Sequence, residues 1–381
     1  MRILHFLDGR CNPDSANGVD KLVYFLTREL ASMGHDVQLV QATDRAEVSI
    51  PGVRIATIPP PQSPFGLPFG LLGVLRTFQP EIVHLHSVFA PRNYMVARWV
   101  HGYAIPYALT PHGGLSPLLV NSSWMKKLYA RVFERWIVGH AAFIHALGDQ
   151  DCTFRFPVRP PVVVMPNAID ACALPDSPDR GFLATLAPRT AGKKVFLFLG
   201  RIAPRQKGLD LLISAFAQAG LPGSVLVIAG PGPDREVAKL RRLAFDCGVA
   251  DAVEFCGPVY GERRFDLLAS ATVFVHTSRW EGLPFAVLEA AAMALPCILT
   301  GPADPLGLLA AHHGSVTVEP LEARVAAALG DLAARSPAEL RALGERARRV
   351  VLSNFTWPKV ASSMLAAYQR YAPPTKPGSC S

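Results

Sequence analysis

The chain has 381 residues, half of them apolar and 18% charged, which exceeds what one hydrophobic core usually supports and excludes a disordered chain. Its net charge of +8 favours an anionic partner, but no Cys/His finger, RNP-like strand or long basic run points to nucleic acid. The seven scattered cysteines form no CxxC pair, so neither a zinc site nor a disulfide framework is expected.

The N-terminal run MRILHFLDGR predicts a first β-strand and not a signal peptide, because its apolar part soon meets charged residues. No uninterrupted apolar stretch reaches the roughly 18 residues that span a bilayer. We therefore expect a cytoplasmic protein, either soluble or peripheral on the inner face of the plasma membrane.

Strand-like and helix-like runs alternate along the whole chain, which predicts parallel-sheet α/β domains. The strand-like runs of the first half are RILHFL, DVQLV, VRIATI, EIVHLH, PYALT, AFIHAL and VVVMP. A segment rich in Pro, Gly and Ala over residues 171–194 predicts a linker, and a second α/β series starts with KVFLFLG. We predict an N-terminal domain over residues 1–175, a C-terminal domain over 190–355, a terminal helix over 356–372 and a disordered tail over 373–381.

Two glutamates, Glu281 and Glu289, follow the strand-like run TVFVHTS with seven residues between them. Pro284 suits a first helical turn, which places Glu281 before the helix and Glu289 within it. Ligands of open parallel sheets bind at this end of the strands, where the N–H groups of Leu283 and Phe285 would face an anion. A solvated helix face is the alternative for Glu289, but its apolar neighbours make that a poor place for an unpaired charge.

A basic loop, GRIAPRQKG, follows the first strand of the second domain and carries Arg201, Arg205 and Lys207. Arginine offers a planar fork of donors and lysine a compact charge, and both suit phosphate oxygens. Such cations stabilise a nucleoside diphosphate as it leaves. Alone, a basic loop is usually just solvated; together with the glutamates it predicts a diphosphate site.

Three segments of the first domain are candidates for ligand contact. Asn17 and Gly18 either open a helix whose N-terminus approaches a phosphate or form a plain strand-to-helix turn. His112 and Gly113 lie in TPHGGLSP at the end of the fifth strand, where a ligand is expected, although a structural role is the alternative. Of two histidines at the end of the fourth strand, His86 is the candidate for the acceptor cleft.

The predicted helix Trp124–Trp136 carries two stripes at a spacing of four residues: the cations Lys127, Arg131 and Arg135, and the apolar Trp124, Leu128, Val132 and Trp136. An ordinary Rossmann-type helix would bury the apolar stripe on the sheet. The alternative is a patch that faces an acidic membrane and receives a lipid-linked acceptor.

The G-R-x5-K-G loop, VIAGPG, VEFCGPV and the E-x7-E element follow one another in the order seen in glycosyltransferase family 4. The sequence resembles this family of retaining enzymes over nearly its whole length. The resemblance implies an α/β protein with the GT-B fold, in which two Rossmann-like domains face each other across a cleft and a C-terminal helix crosses back to the N-terminal domain.

The resemblance also implies roles for individual residues. Arg201 and Lys207 would clamp the donor diphosphate, Glu289 would bind the ribose, and Glu281 would lie near the transferred sugar and its phosphate. His112 would contact the sugar or assist at the reaction centre.

The donor pocket would include Gly230 of VIAGPG and Val259 of VEFCGPV, with the base near residues 254–258. Many relatives have Gly-Phe-Gly after the first glutamate. Here the residues are Gly282, Leu283 and Pro284, so an N–H contact at the third position is missing.

We therefore predict transfer of a hexose-type sugar, with retention, from a UDP-, GDP- or other NDP-sugar to a hydroxyl acceptor. A lipid-linked saccharide in surface polysaccharide assembly is the first hypothesis for that acceptor. No cofactor or metal is expected, and the string Asp149-Gln150-Asp151 is interpreted as incidental. The alternatives are a sugar-nucleotide 2-epimerase of the same fold and a noncatalytic partner subunit that binds sugar nucleotides.

Overall fold

The computed structural model describes most of the chain as two compact units. The described residues are 1–13, 17–44, 48–60, 63, 66, 70–148, 156–157 and 160–372, without the side chain of Leu118. Unit 1 consists of the described residues of Met1–Asn167 and Trp357–Ser381, and unit 2 is Ala168–Thr356.

Unit 1 contains one parallel sheet. Its strands, within the described residues, are β1 (Arg2–Leu7), β2 (Asp36–Ala42), β3 (Val53–Ile58), β4 (Ile82–His86), β5 (Tyr107–Thr110), β6 (Phe143–Ala146) and β7 (Val162–Val164). They lie side by side in the order β3-β2-β1-β4-β5-β6-β7. The central strands β4, β5 and β6 are buried along their whole length, as expected of a parallel sheet covered on both faces.

The helices of unit 1 connect these strands. They are α1 (Gly18–Ser32), α2 (Gly70–Phe78), α3 (Pro91–Gly102), α4 (Pro117–Val120), α5 (Trp124–Tyr129) and α6 (Arg135–His140). A π-helical turn, Ala130–Glu134, joins α5 to α6. The predicted helix Trp124–Trp136 is thus helical throughout, but with a change of period in its middle.

Unit 2 repeats the same architecture. Its strands are β8 (Lys194–Leu199), β9 (Ser224–Ala229), β10 (Val253–Gly257), β11 (Val273–His276), β12 (Cys297–Thr300) and β13 (Ser315–Val318), all parallel, in the order β10-β9-β8-β11-β12-β13. Its helices are α7 (Phe182–Leu186), α8 (Pro204–Lys207), α9 (Leu209–Ala219), α10 (Asp234–Asp246), α11 (Arg263–Ala269), α12 (Phe285–Ala292), α13 (Leu308–Ala311), α14 (Glu322–Ala334) and α15 (Pro337–Asn354).

The segment predicted as a linker belongs to unit 2. Leu183, on α7, is buried in the core formed by strands β8, β9 and β11. Asp179 accepts a hydrogen bond from the N–H of Gly181, and the N–H of Asp179 donates to Asp266. Sequence composition does not reveal this packing, because the apolar residues of the segment lack a helical or strand period.

The last helix, α16 (Trp357–Tyr371), returns to unit 1 and packs on α1, as expected from the resemblance. The ring of Trp357 stacks on Phe25 of α1 at 5.4 Å between centroids. Tyr368 reaches the centre of the sheet, where it contacts His84.

Each sheet reverses its strand order at one point, between β1 and β4 in unit 1 and between β8 and β11 in unit 2. Ligands of open α/β sheets bind outside the carboxyl ends of the strands at such a point. The predicted basic loop follows β8 and Glu281 follows β11, so both lie at the switch point of unit 2.

Candidate functional site

The loops after β8 and β11 are fastened to each other by main-chain contacts. Gly208 has φ of 63°, and a Cβ atom there would lie 2.2 Å from the carbonyl oxygen of Thr277, so only glycine fits. The Thr277 hydroxyl donates to the carbonyls of Lys207 and Gly208, at 3.1 and 3.0 Å. This close approach places the Lys207 side chain beside the start of the second loop.

Lys207 and Glu281, predicted separately as site residues, form a buried ion pair in which the ammonium donates to the carboxylate. Their side chains are only 11% and 8% exposed. The Ser278 hydroxyl donates to the same carboxylate oxygen at 2.7 Å, and Nε2 of His276 lies 3.5 Å from it. Burial alone would raise the pKa of Glu281, but the Lys207 charge and the His276 ring lower it to about 2. The carboxylate is therefore held as an anion.

Arg279, which sequence reasoning missed, ties the two loops together from the outside. Its guanidinium makes a bidentate contact with Asp210, at 2.8 and 2.9 Å, and donates to the Arg205 carbonyl at 3.2 Å. Its N–H donates to the carbonyl of Gln206 at 2.8 Å. Although burial opposes it, the hydrogen bond from Arg279 lowers the pKa of Asp210. No local motif signals this pair, because its members are 69 residues apart.

Glu289 lies on α12 and is only 3% exposed, which excludes a solvated helix face. Arg264, at the start of α11, donates from Nε to the Glu289 carboxylate at 3.0 Å and from Nη1 to the Gly261 carbonyl at 2.6 Å. Arg264 was also missed by sequence reasoning. A buried carboxylate with a guanidinium beside it is suited to accept hydrogen bonds from ligand hydroxyls.

The two arginines of the basic loop are exposed, unlike Lys207. Arg201 donates to the side chain of Gln206 at 3.2 Å. Because their guanidinium groups face solvent, Arg201 and Arg205 can meet an anionic ligand without disturbing a core.

Gly230 and Val259 have structural explanations in unit 2. Gly230 has φ of 144°, and a Cβ atom there would lie 1.8 Å from the carbonyl oxygen of Gly200, so the loops after β8 and β9 touch through glycine main chain. Val259 is half-buried and packs on the core of the unit. These contacts account for both residues without a ligand and leave their predicted ligand contacts as expectations.

The turn before α12 differs from the prediction. The helix begins at Phe285, and Pro284 precedes it with φ of −72° and ψ of 126°, an extended conformation and not a helical one. Pro284 is therefore the N-cap residue and not part of the first turn. The side chains of Leu283 and Phe285 are buried, which anchors the turn after Glu281.

Asn17 caps α1, which begins at Gly18 as expected. The Asn17 side-chain oxygen accepts from the N–H of Val19 at 3.2 Å, and its amide donates to Asp20 at 3.1 Å. The cap explains the residue types of the Asn17-Gly18 pair, because asparagine is among the best N-cap residues.

His112 follows β5 with φ of 52°, and Gly113 follows it with φ of 77°. Left-handed conformations are uncommon outside glycine and are concentrated at functional sites. As a residue His112 is partly exposed, and its Nε2 lies 3.3 Å from Nδ1 of His86.

The prediction that His86 faces the acceptor is wrong, because His86 has no exposed surface. Its Nε2 lies 3.0 Å from Nδ1 of His5, and its Nδ1 contacts His112. His86 therefore lies behind His112 in the interior of unit 1 and not on its surface.

His86 belongs to a histidine cluster that we define as His5, His84, His86, His112 and His145. Burial is the first cause that lowers the pKa of every member: to about 3 for His5 and His112, to about 4 for His145, and well below 6.5 for His84 and His86. All five rings are therefore neutral at neutral pH, and each carries one N–H and one lone pair.

The hydrogen bonds fix the proton positions of two members of this cluster, His145 and His84. Nε2 of His145 lies 2.9 Å from the Met165 carbonyl, which only accepts, so His145 is protonated on Nε2. The Thr110 hydroxyl then donates to Nδ1 of His145 and accepts from Nε2 of His84. It follows that Nδ1 of His84 accepts from the Tyr368 hydroxyl, at 2.6 Å.

Replacing Tyr368 by Phe should destabilise unit 1 by about 1 to 3 kcal/mol, because a buried acceptor on His84 loses its donor. The loss is measurable as faster hydrogen exchange in α1 and α16 and a lower urea midpoint. Tyr371→Phe is the matched control, since Tyr371 packs its ring on Phe143 and its hydroxyl has no hydrogen bond among the residues that the structure describes. Equal effects of the two variants would contradict the prediction.

The helix over residues 124–136 exposes its apolar stripe, so the ordinary Rossmann-type alternative is wrong. The exposed residues, between 52% and 72% accessible, are Trp124, Met125, Leu128 and Val132. The cations Lys127, Arg131 and Arg135 are exposed as well. The π-helical turn changes the period after Val132, so Trp136 leaves the stripe and packs on Tyr94. We call these seven exposed side chains the apolar-cationic face.

Glu134 lies in the π-helical turn and is fully buried. Its carboxyl accepts a hydrogen bond from the N–H of Phe89 at 2.5 Å, which lowers its pKa, but burial is the larger effect and raises it to about 7. The string Asp149-Gln150-Asp151 lies outside the described residues.

Comparisons with known proteins identify the family of the chain. Residues 17–168 match the family model "Glycosyl transferase 4-like domain" and residues 193–335 match "Glycosyl transferases group 1". A GDP-mannose-dependent alpha-mannosyltransferase of Mycobacterium tuberculosis is 27% identical over 93% of both chains. A glycogen synthase of the same organism is 26% identical over 97% of this chain and 94% of its own.

Solved structures share the fold. A sucrose-phosphate synthase from Thermosynechococcus elongatus superposes with a TM-score of 0.78 at 21% identity, covering 97% of this chain and 99% of that one. Anabaena HepE in complex with UDP and glucose superposes with a TM-score of 0.76 at 16% identity, covering 97% and 100%.

Two Rossmann-like units and these matches define a nucleotide-sugar-dependent glycosyltransferase of the GT-B fold. The chain belongs to glycosyltransferase family 4, as its motifs indicated. Among the described helices, none is long and apolar enough to cross a membrane.

Proposed function

We propose that unit 2 binds a nucleoside-diphosphate hexose at the β8/β11 switch point and transfers the sugar with retention to a hydroxyl acceptor. The buried Lys207–Glu281 pair supports this most strongly. It places a cation and an anion, both fixed by their neighbours, where ligands of such sheets bind. A buried pair of this kind contributes little to stability compared with apolar residues, so a functional reason for it is favoured.

In this proposal each side chain has one task. Lys207 and Arg201 bind the diphosphate and stabilise the charge that develops on it as it leaves. Glu289 accepts hydrogen bonds from the ribose, and Glu281 orients Lys207 and the sugar end of the donor. Arg279 fixes the positions of the loops after β8 and β11 relative to each other.

The chemical step follows from these tasks. The acceptor hydroxyl attacks the anomeric carbon on the face that the diphosphate leaves, so the new C–O bond has the configuration of the old one. Its proton passes to a phosphate oxygen of the leaving group, and the products are a glycoside and a nucleoside diphosphate. No covalent glycosyl–enzyme intermediate is involved, in contrast to double-displacement glycosidases. Because Arg201 and Lys207 offset the charge of the diphosphate, no metal is required.

We expect release of nucleoside diphosphate from one sugar nucleotide in the presence of EDTA, and at least about a 100-fold lower rate for Glu281→Gln. The screen starts with GDP-mannose, the donor named for the mannosyltransferase relative, and continues with UDP-hexoses. Glu345→Gln, on the exposed side of α15, is the matched control.

The outcomes separate the alternatives. An epimer formed from the donor alone, with no glycoside, would favour a 2-epimerase. Binding of the nucleotide with no turnover, whether water or a lipid-linked saccharide is offered as the acceptor, would favour a noncatalytic partner. Full activity of Glu281→Gln would place the site elsewhere.

We also propose that the apolar-cationic face binds an acidic membrane and so brings the enzyme to a lipid-linked acceptor. Exposed tryptophan, methionine and leucine beside three cations form the pattern of an interfacial helix, with apolar side chains for the acyl boundary and charges for acidic headgroups. The net charge of +8 acts in the same direction.

Vesicles test this proposal directly. The chain should float with phosphatidylcholine vesicles that contain phosphatidylglycerol and not with phosphatidylcholine alone, and salt should weaken the binding. Trp124→Gln with Leu128→Gln should reduce binding at least about tenfold, because each buried apolar side chain contributes on the order of 1.5 to 3 kcal/mol. Phe245→Gln, on the exposed side of α10 in unit 2, is the control; an equal loss there would count against this face.

A further inference from the structure

The other three members of the histidine cluster, His5, His86 and His112, form a row of hydrogen-bonded rings that ends at the surface. His5 contacts His86 through Nδ1 and Nε2, at 3.0 Å, and His86 contacts His112 through Nδ1 and Nε2, at 3.3 Å. The rings of His5 and His86 are nearly parallel and fully buried, and His112 is partly exposed. This row therefore connects a buried ring to a residue at the carboxyl end of β5.

Because each neutral ring has a single N–H, the three rings must donate in one common direction. If they donate outward, His5 is protonated on Nδ1, His86 on Nδ1 and His112 on Nδ1. If they donate inward, all three protons are on Nε2. The two arrangements differ in which nitrogen of His112 carries the proton that a ligand meets.

The buried His5 end of this row of rings decides between the two arrangements. Nε2 of His5 is buried and, among the described residues, has no hydrogen-bond partner. Inward donation would leave an N–H group buried there without an acceptor, whereas outward donation leaves only a lone pair. Orphaned buried N–H groups are rarer than orphaned acceptors, so outward donation is favoured.

We propose that His5 and His86 are positioning residues that fix His112 in the Nδ1–H form, so that His112 donates a hydrogen bond to a hydroxyl or phosphate oxygen of the bound substrate. This inference rests on the proposed function and adds to it the chemistry of His112, which the family resemblance places at the sugar. His112 is then a neutral donor and not a general base, because its Nε2 lone pair is already occupied by His86. The left-handed backbone of His112 is a strained conformation that orients this donor.

The same rings do not form a good metal site, although nitrogen atoms of His5, His84 and His86 lie within 4.8 Å of one another. Both nitrogens of His84 are in hydrogen bonds whose direction the Met165 carbonyl dictates, and both nitrogens of His86 contact other rings. A divalent cation would need these bonds broken and would introduce two buried charges without a carboxylate among its ligands.

A pair of variants distinguishes a donor from a base. Asparagine and aspartate have the same shape as each other and tolerate the left-handed region, but only asparagine donates. We expect His112→Asn to keep turnover within about tenfold of the wild type and His112→Asp to lose at least about 100-fold. The reverse order, with aspartate the better replacement, would show that His112 acts as a base and would overturn the proposal.

We call the hydrogen bonds from His5 through His86 to His112 the relay. It is tested by 15N NMR of the full chain labelled at histidine, because the two ring nitrogens have distinct shifts in each tautomer. The His112 signals are identified by their loss in His112→Asn. We expect Nδ1–H in the wild type and a mixture of tautomers in His86→Leu and His5→Leu. An Nε2–H signal in the wild type, or an unchanged His112 tautomer in folded variants, would refute the relay.

These measurements remain decisive if the proposed function fails. The wild-type tautomer is read without turnover, so a chain that transfers no sugar still reports whether the relay exists. Metal analysis of the same sample is included; one zinc ion per chain, lost in His5→Leu, would replace the relay with a metal site.

Discussion

Lys207→Met is expected to destabilise unit 2 by about 3 to 5 kcal/mol and to lower turnover at least about 100-fold. Methionine fills the space of the lysine stem, but it leaves the Glu281 carboxylate buried without its cation. The pKa of Glu281, now held at about 2, would then rise because burial is no longer opposed by the Lys207 charge. Hydrogen exchange in α12, together with nucleoside diphosphate release, measures both losses.

The double variant Lys207→Met with Glu281→Gln separates stability from catalysis. Removing both charges removes the unpaired ion, so we expect most of the stability to return, as is general when a buried ion pair is replaced as a whole. Activity should not return, since the donor site has lost both side chains. If the double variant were as unstable as the single one, the pair would not be the source of the instability.

Acid is expected to unfold unit 1 cooperatively at about pH 5, while unit 2 stays protected. The five cluster histidines have an ordinary pKa of 6.5 when unfolded, and the folded values of three of them are about 3 to 4. Below pH 6.5 the unfolded state therefore binds more protons, and stability is lost as pH falls towards the folded values. Each ring contributes about 1.4 kcal/mol per pH unit, so five together approach the whole stability of a domain within about two units.

One buried group in unit 1 acts in the opposite direction. The pKa of Glu134 is raised to about 7 from 4.5, so its contribution is present at low pH and lost as pH rises between those values. Per pH unit, this carboxyl offsets the loss of stability caused by only one of the five histidines. Acid therefore destabilises unit 1 on balance. In unit 2 burial lowers the pKa of one described histidine, His276, which acts like a single member of the cluster. The low pKa of Glu281 preserves the contribution of that carboxylate to stability down to about pH 4.5.

Pulsed hydrogen exchange between pH 7 and pH 4 measures this difference, because peptides from β4, β5 and β6 should lose protection before those from β8 and β11. His84→Leu with Tyr368→Phe removes one titrating ring and its donor together and should shift the transition to lower pH. Simultaneous loss in both units would show that the cluster does not control acid stability.

The fold was largely predictable because a parallel sheet buries its strands on both faces and leaves continuous apolar runs in the sequence. The positions of Lys207 and Glu281 at the switch point of unit 2 were predictable from their places after such runs. Their contact with each other was not, and neither were the pairs Arg279–Asp210 and Arg264–Glu289. Such partners come from separate loops, and only the three-dimensional packing of those loops brings them together.

The error at His86 and the open alternative at the Trp124 stripe have related causes. The strand end that holds His86 is buried on both faces, so alternation along it does not separate a surface histidine from an interior one. The stripe of Trp124 has the same helical period whether it packs on a sheet or faces solvent, and the sequence does not show which face of a helix a neighbour covers. For His86 and for the Trp124 stripe, the role depends on whether the side chains are buried, and the sequence pattern does not show this.

The return of α16 to unit 1 reverses the order in which the two halves can be completed during synthesis. Unit 2 is one continuous segment, so all of its strands have been synthesised before Trp357 is made. Unit 1 begins first, but His84 lacks its hydrogen-bond donor and α1 lacks its covering helix until α16 emerges. The N-terminal half is therefore the last to finish folding, and a nascent chain cut short before α16 presents an unfinished first half beside a complete second one.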